Sequence, residues 1–425
     1  MSVRVRGALL AASLLFTCAA GASPPESSAA PVQVREALSA AWEAHPASRA
    51  ARATVAAARA RLAAARRPAY NPELGLDADD EGSDGDRTAT VGLSQSFETG
   101  GKRQRRIAVA EAELVAARRE VEQKRAEFSR DWLRAWANWD AAQRQVRVGE
   151  ERVGLSQRFA TLAERQLGVG DISALERDLA VLSRDEALAE QAGLIVDESE
   201  AREAFRTLGG GDAAIATLPI LSELPLPPAA TDVAIESLAA LPEWRAADAR
   251  ADAAEARIAS AQAARRPDPT FGVRAGRIDF GPSTGNVVGL SFSMPIYIRN
   301  DYAAEVAAAR AESDVAASEA ARVRLELEAR LERASRVHAA VLSAAAQWRA
   351  SRGGDATARA DLLERLWRAG ELSTADFLVQ LRQALDTAVA GAALDGRVWQ
   401  GWIDWLYASG RLDEWMGFET SEEAR

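Results

Sequence analysis

Between Thr88 and Phe97 the chain alternates: Ala89, Val91, Leu93 and Phe97 fall on one parity, and Thr88, Thr90, Gly92, Ser94 and Ser96 on the other. This pattern predicts a strand with one apolar face and one face of small polar residues, as a wall between water and hydrocarbon needs. After Gly100-Gly101 the period changes. Ile107, Leu114, Val121, Phe128 and Ala135 recur every seventh residue, the spacing of a long helix that supercoils with its neighbours. Strand therefore gives way to helix at a basic turn that carries Lys102, Arg103, Arg105 and Arg106.

The same reading extends along the chain. Val34, Leu38 and Trp42 start a helix that Pro46 ends, and Ala-rich turns run on to Arg66-Arg67-Pro68. Leu74, Leu76 and Ala78 alternate with Gly75, Asp77 and Asp79, so this stretch and the strand after it form a hairpin over 73–98. From Gly101 the helix is expected to reach about residue 166, on the order of 100 Å at 1.5 Å per residue. Its later heptads carry Trp132, Trp139, Val146, Val153, Ala160 and Leu167. A break at Gly168-Val169-Gly170-Asp171 precedes a returning helix, on which Leu175, Leu182, Ala189 and Val196 keep the beat to Leu208. Gly209-Gly210-Gly211 and the prolines from Pro219 to Pro228 mark an extended linker over 209–231.

After the linker the pattern repeats. Arg265-Arg266-Pro267 echoes Arg66-Arg67-Pro68, and Val288-Gly289-Leu290-Ser291 matches Val91-Gly92-Leu93-Ser94. Val288, Leu290, Phe292, Met294 and Ile296 share one face of the second return strand, with Gly289, Ser291 and Ser293 on the other, so a second hairpin is expected over 270–297. Val306, Ala320, Leu327, Ala334, Val341 and Trp348 continue as a heptad helix, and Gly370-Glu371-Leu372-Ser373 answers Gly170-Asp171-Ile172-Ser173. Two copies of one unit, 23–208 and 232–425, are therefore expected, each built as helix, hairpin, long helix, turn and helix.

Composition changes the picture in three ways. At 425 residues and 48% hydrophobic the chain is no disordered tail, yet only 6% is aromatic and much of the apolar content is Ala, which suits slim, closely packed helices. A net charge of −10 argues against nucleic acid as a partner. Two histidines, Cys18 and three methionines leave few soft metal ligands, and no nucleophile-base constellation or phosphate loop is present, so neither a cofactor nor enzymatic activity is expected. At the N-terminus Arg4, Arg6, the apolar run from Ala8 to Phe16 and Ala20-Gly21-Ala22 predict a signal peptide over 1–22. A lipid anchor on Cys18 is the competing reading, although Leu15-Phe16-Thr17 matches a lipobox poorly. Beyond this segment no apolar run approaches the length of a membrane helix, so any crossing must be made of strands.

Four strands cannot close a barrel, and open edges in lipid leave backbone groups unsatisfied at several kcal/mol each. Closure needs several chains, and three copies would supply twelve strands around a water-filled lumen, with the long helices standing to one side as a second tube.

The chain resembles the TolC-type outer-membrane efflux protein family. The resemblance rests on the duplicated order of elements and on two motifs. One is the strand-to-helix junction from Ser94 to Arg103, whose Glu98 and Gly100-Gly101-Lys102-Arg103 are most similar to the heavy-metal, cobalt-zinc-cadmium branch. The other is the pair of helix turns, Gly170, Asp171, Ile172 and Ser173, and Gly370, Glu371, Leu372 and Ser373. The resemblance implies a mainly α fold in which long coiled-coil helices form a third of an α-barrel and four antiparallel strands a third of a trimeric 12-stranded transmembrane barrel. It implies an outer-membrane exit duct with its helical part in the periplasm, a homotrimer working with a periplasmic adaptor and an inner-membrane RND-type pump. The turns would be adaptor-contact tips, and an ordinary helical turn explains their glycines equally well. Asp376 fits an acidic constriction just past the second turn, whereas Val379 stands where some relatives carry a second acid, and Asp376 reads equally as a solvated helix carboxylate.

Other residues are weighed in the same way. Asp77, Asp79, Thr90, Ser94 and Ser291 lie on polar strand faces and would line the lumen, where the two aspartates favour cations. Lys102 and Arg103 would stand at the membrane boundary and meet anionic headgroups, unless they are simply a basic helix face. The acidic loop Asp79–Asp86 lacks EF-hand spacing and reads as an exposed hairpin loop. His45, His338 and the tryptophans at Trp132, Trp136, Trp139, Trp399, Trp402 and Trp405 read as packing residues. Metal cations are the favoured cargo. A duct for drugs or secreted polypeptide is the alternative within the family, and a poreless periplasmic scaffold the alternative outside it.

Overall fold

The computed structural model describes residues 29–81, 86–280, 283–351 and 356–417. The expected signal peptide, Cys18 and the tip of the acidic hairpin loop lie outside the described residues. Two short helices come first, α1 (Val32–Ala44) and α2 (Pro46–Ala65). Pro46 ends the first and starts the second, since a proline at the first helical position has no N–H to miss. His45 caps α2, accepting from Ala47 N at 3.1 Å through Nδ1.

Two hairpins, β1 (Glu73–Glu81) with β2 (Asp86–Ser96) and β3 (Thr270–Phe280) with β4 (Ser283–Ser293), join into one antiparallel sheet in the order β1-β2-β3-β4. β4 stops at Ser293, short of the expected 297, where Pro295 has no N–H for a ladder. β2 likewise ends before Phe97, whose N–H still donates to Pro269 O at 2.9 Å.

The long helix α3 (Lys102–Val169) runs unbroken for 68 residues and returns as α4 (Ala174–Thr207). The linker carries the single turn α5 (Asp212–Ile215), and α6 (Pro242–Ala264) leads into the second hairpin. The second long helix is divided, unlike the first: α7 (Ala303–Ala350) is followed by α8 (Ala356–Arg368), with Gly353-Gly354 in the sequence between them. Two adjacent glycines cost helix stability, so the heptad beat that stops at Trp348 also marks the end of α7. α9 (Thr374–Ser409) and α10 (Leu412–Met416) complete the chain.

Near the sheet, α3 packs against α2 and α6, and α6 against α7; at the far end α3 is flanked by α4 and α9, and α9 by α7 and α8. The largest core lies midway, where Trp132, Trp136, Phe205, Leu38, Leu221, Trp402 and Trp405 meet α1 and the linker. The tryptophans therefore pack between helices, as their spacing predicts. Glycines let α9 approach its neighbours: a Cβ on Gly396 would stand 2.5 Å from Ala141 Cβ, and one on Gly401 3.4 Å from His338 Cα. His338 is fully buried, with Nε2 2.9 Å from Pro228 O and its ring 5.2 Å from Trp402.

The heptad series of the first long helix faces the core, with Leu114, Phe128, Trp132, Trp139 and Ala160 buried. That of α4 does not. Leu175, Leu182 and Val196 are 69%, 64% and 55% exposed, while Ala180, Ala187, Ala201 and Phe205 make the contact with the rest of the chain. The reason is geometric: α4 is an outer column of the array whose main neighbour is α3, to which small residues give the closest approach.

Candidate functional site

The register stacks side chains in rows across the sheet. Leu74 pairs with Leu93, Leu93 with Val273 and Val273 with Leu290, so one apolar row crosses all four strands. The adjacent row runs Leu76, Val91, Ala275 and Val288. Nothing among the described residues covers this face: Leu74, Leu76, Val288 and Leu290 are 71–84% exposed. In water, rows of this size are a liability; in hydrocarbon they are the required surface.

The opposite face holds the residues expected to line a lumen. Thr90 pairs with Asp77 and Gly276, and Asp79 with Thr88. Gly272 lies between Ser94 and Ser291, and a Cβ there would come within 2.4 Å of Ser291 Oγ, so glycine makes room for both hydroxyls. The sequence reading missed Arg274 on this same face, where it lies over Gly289. A cation among the aspartates tempers the expected preference for cations.

At the base of the sheet the residues of the expected membrane-boundary turn find partners within the chain. Gly100 and Gly101 take left-handed φ values of 67° and 73°, which bring the helix start back under the strand ends. Lys102 Nζ then donates to Asp268 Oδ2 at 2.8 Å, and Thr99 N and the Tyr70 hydroxyl donate to the same carboxylate. Arg106 pairs with Glu98, and Arg103 donates to the Arg66 carbonyl. Lys102 and Arg103 are thus engaged by the chain itself, and Arg103 and Arg105 are both exposed. Arg106's hydrogen bond holds the Glu98 carboxyl below its ordinary value. At Asp268 burial acts the other way, but the hydrogen bonds from Lys102, Thr99 and Tyr70 outweigh it and keep that carboxyl low.

The far end carries both expected turns. Gly170 and Gly370 have φ of 83° and 74°. Ser173 Oγ accepts from Glu176 N at 3.2 Å while Glu176 returns to Ser173 N, a capping box. Ser373 and Asp376 repeat this in part, with Asp376 N 3.1 Å from Ser373 Oγ and the hydroxyl donating to Asp376 Oδ2 at 2.7 Å. The sixth residue after each glycine is therefore tied to the serine that caps its helix, and the Asp376 carboxylate is held by Ser373. Ile172 and Leu372 pack inward on one cluster, in which the rings of Phe159, Trp367 and Phe377 lie 4.3–5.9 Å apart. Asp171, Glu371 and Val169 stay exposed.

Charged residues that the heptads hid are buried between these ends. Arg152 of α3 bridges Glu190 of α4 and Asp386 of α9, and Arg144 binds Asp140 and Asp395, each at 3.0 Å. Among the described residues no group of three or more His, Cys, Asp or Glu side chains is placed to hold a metal ion, and no helix is long and apolar enough to cross a membrane.

A four-stranded sheet set on helices of this length is a fold shared with solved outer-membrane channels. The Campylobacter jejuni CmeC outer membrane channel superposes with a TM-score of 0.76 over 100% of this chain and 96% of that one, at 14% identity. A family model described as outer membrane efflux protein matches residues 37–211. It is similar to the nickel-cobalt-cadmium resistance protein NccC of Alcaligenes xylosoxydans xylosoxydans, 29% identical over 62% of this chain and 59% of that protein. It is also similar to the cobalt-zinc-cadmium resistance protein CzcC of Cupriavidus metallidurans, 26% identical over 54% of this chain and 55% of that one. These matches span less than two thirds of each relative.

Proposed function

We propose that this chain is one third of an outer-membrane exit duct that passively carries heavy-metal cations from a periplasmic adaptor and an inner-membrane RND-type pump to the exterior. The observation that carries the reading is the uncovered apolar row Leu74, Leu93, Val273 and Leu290 on a sheet whose edges, β1 and β4, have no partner among the described residues. Three copies joined edge to edge would close twelve strands, satisfy the edge backbone groups and turn the apolar rows to lipid. The exposed Leu175, Leu182 and Val196 on α4 would be covered by the outer column of the next copy, closing the helical tube as well.

Asp77, Asp79, Thr90, Ser94 and Ser291 would then face the lumen. Lys102 would brace the barrel base while Arg103 and Arg105 approach the headgroup level. The turns at Gly170, Asp171, Ile172 and Ser173 and at Gly370, Glu371, Leu372 and Ser373 would form the adaptor-facing rim. Asp376, fixed by its cap, would set an acidic collar there. Metal cargo is supported by the resistance proteins the chain resembles.

The test is twofold. The protein purified in detergent should run as a trimer and conduct ions in planar bilayers, and a deletion strain should become sensitive to nickel, cobalt, zinc or cadmium. A water-soluble monomer without conductance would overturn the duct; sensitivity to drugs alone would overturn the cargo.

A further inference from the structure

Four arginines converge on one cavity in the helical part of the chain. It has a volume of about 310 Å³ and is walled by Arg130 and Arg134 of α3, Arg330 and Arg333 of α7, and Asp404 and Tyr407 of α9. Gly401 also lines it, so no side chain from that turn fills the space.

Three of the four arginines are held in place by groups behind or beside them. The Arg130 guanidinium lies 4.5 Å over the Tyr407 ring and donates to Asp131; the Arg330 guanidinium lies 5.5 Å from the same ring and donates to Glu243 Oε1 at 2.8 Å. Glu243, from α6, is buried and does not line the cavity, and it also takes a hydrogen bond from Tyr407. Burial, and then the charge of Glu243, push the Tyr407 phenol up, so its ring stays a neutral platform for the two cations. Arg134 pairs with Asp404, the one acid in the lining. Arg333 has no hydrogen bond or ion pair among the described residues.

We infer that this cavity binds a small multivalent oxyanion, a phosphate-like ion or a short polycarboxylate. Guanidinium groups present planar forks of donors that match such oxygens two at a time, and preorganised arginines lose little freedom on binding. Cations gathered in one cavity repel each other, and a divalent or trivalent anion relieves that repulsion where a chloride relieves less of it. The space is several times the roughly 30 Å³ share of a water molecule, enough for such an ion and part of its hydration. A lipid headgroup is out of reach: Arg130 lies about 40 Å along α3 from the junction at Lys102, at 1.5 Å per residue. The ligand is therefore a dissolved anion. The site belongs to a single chain, so its failure would leave the duct reading standing.

The experiment is calorimetric titration of the full-length protein in detergent with inorganic phosphate, and separately with citrate, at fixed ionic strength set by chloride. The expected result is saturable binding of one anion per chain, weakened about tenfold by Arg333→Ala and partly restored by Arg333→Lys. Arg333 supports no other group, so this variant should fold; unchanged helical circular dichroism checks that it does. Arg52→Ala, at an exposed pair with Glu43 on the first helices, serves as the control. Absence of saturable heat with both anions, or binding that Arg333→Ala leaves unchanged, overturns the inference. Equal displacement by chloride at matched ionic strength would reduce the effect to charge screening and overturn it as well.

Discussion

Lys102 and Asp268 are held 2.8 Å apart although 166 residues separate them in the chain. The contact fastens the start of the first long helix to the entrance of the second hairpin, so the two repeats share one base beneath the sheet. With side chains only 17% and 9% exposed, the pair lies in a low-dielectric pocket and not in bulk water.

Removing one partner should therefore be costly. Asp268→Ala leaves Lys102, the Tyr70 hydroxyl and Thr99 N without their acceptor and is expected to destabilise by about 3 kcal/mol. The check is thermal unfolding in detergent, in which Asp268→Asn should show a smaller loss because it keeps the geometry. Folding depresses the Asp268 and Glu98 carboxyls. Their stabilisation is thus complete above the unfolded carboxylate range near pH 4 and disappears as pH falls through the lower folded values.

The two faces of the sheet should respond oppositely to charge. Leu290→Arg places a cation on the uncovered apolar row and is expected to cost about 2–4 kcal/mol of barrel stability in lipid. Ser291→Arg, one residue on, should leave barrel stability nearly unchanged and reduce cation conductance. Unfolding of the reconstituted protein and single-channel recording separate the two effects; equal destabilisation by both would contradict the assignment of faces.

The outer stripe of α4 should matter for assembly and not for the fold of one chain. Leu182→Asp is expected to shift the detergent-purified protein from trimer to smaller species, with helical circular dichroism retained. Covering one leucine is worth about 1.5–3 kcal/mol, and the stripe occurs three times in a trimer. Chemical cross-linking gives the ratio; an undiminished trimer would show that the stripe faces something else.

His338 should make the helical core sensitive to mild acid. Burial lowers its folded pKa below the ordinary 6.5, against the opposing bond to Pro228. Below that value the unfolded chain takes up a proton that the folded chain refuses, so stability declines as pH falls from about 6.5 and levels off once the folded value is passed. His338→Gln keeps a donor toward Pro228 O without titrating, and the slope of melting temperature between pH 7 and 5 should be shallower in this variant.

The fold was legible wherever one period ruled. Alternation fixed the four strands and their faces, and the heptads from Ile107 to Leu167 fixed α3, because burial on one side leaves a spacing that composition cannot disguise. Misreadings came where another surface competed. The Leu175 series on α4 has the right period and the wrong neighbour, since a sequence shows that a face is apolar without showing which chain covers it. The partner of Lys102 was hidden because Asp268 stands in the other repeat, at the place where Arg66-Arg67-Pro68-Ala69 and Arg265-Arg266-Pro267-Asp268 diverge. Arg152 and Tyr407 left no signal, because each is polar at a position where helix packing alone predicts an apolar residue.

The bare margins of β1 and β4 also bear on how such a protein is made. On the duct reading, a newly exported copy would offer two rows of unbonded amides and carbonyls, together with the oily flank of α4, until siblings arrive. Solitary copies would then be exposed to chaperones and proteases, and survival would depend on how many are synthesised at once. Yield should rise more steeply than expression, because completing the sheet and finding companions are one event.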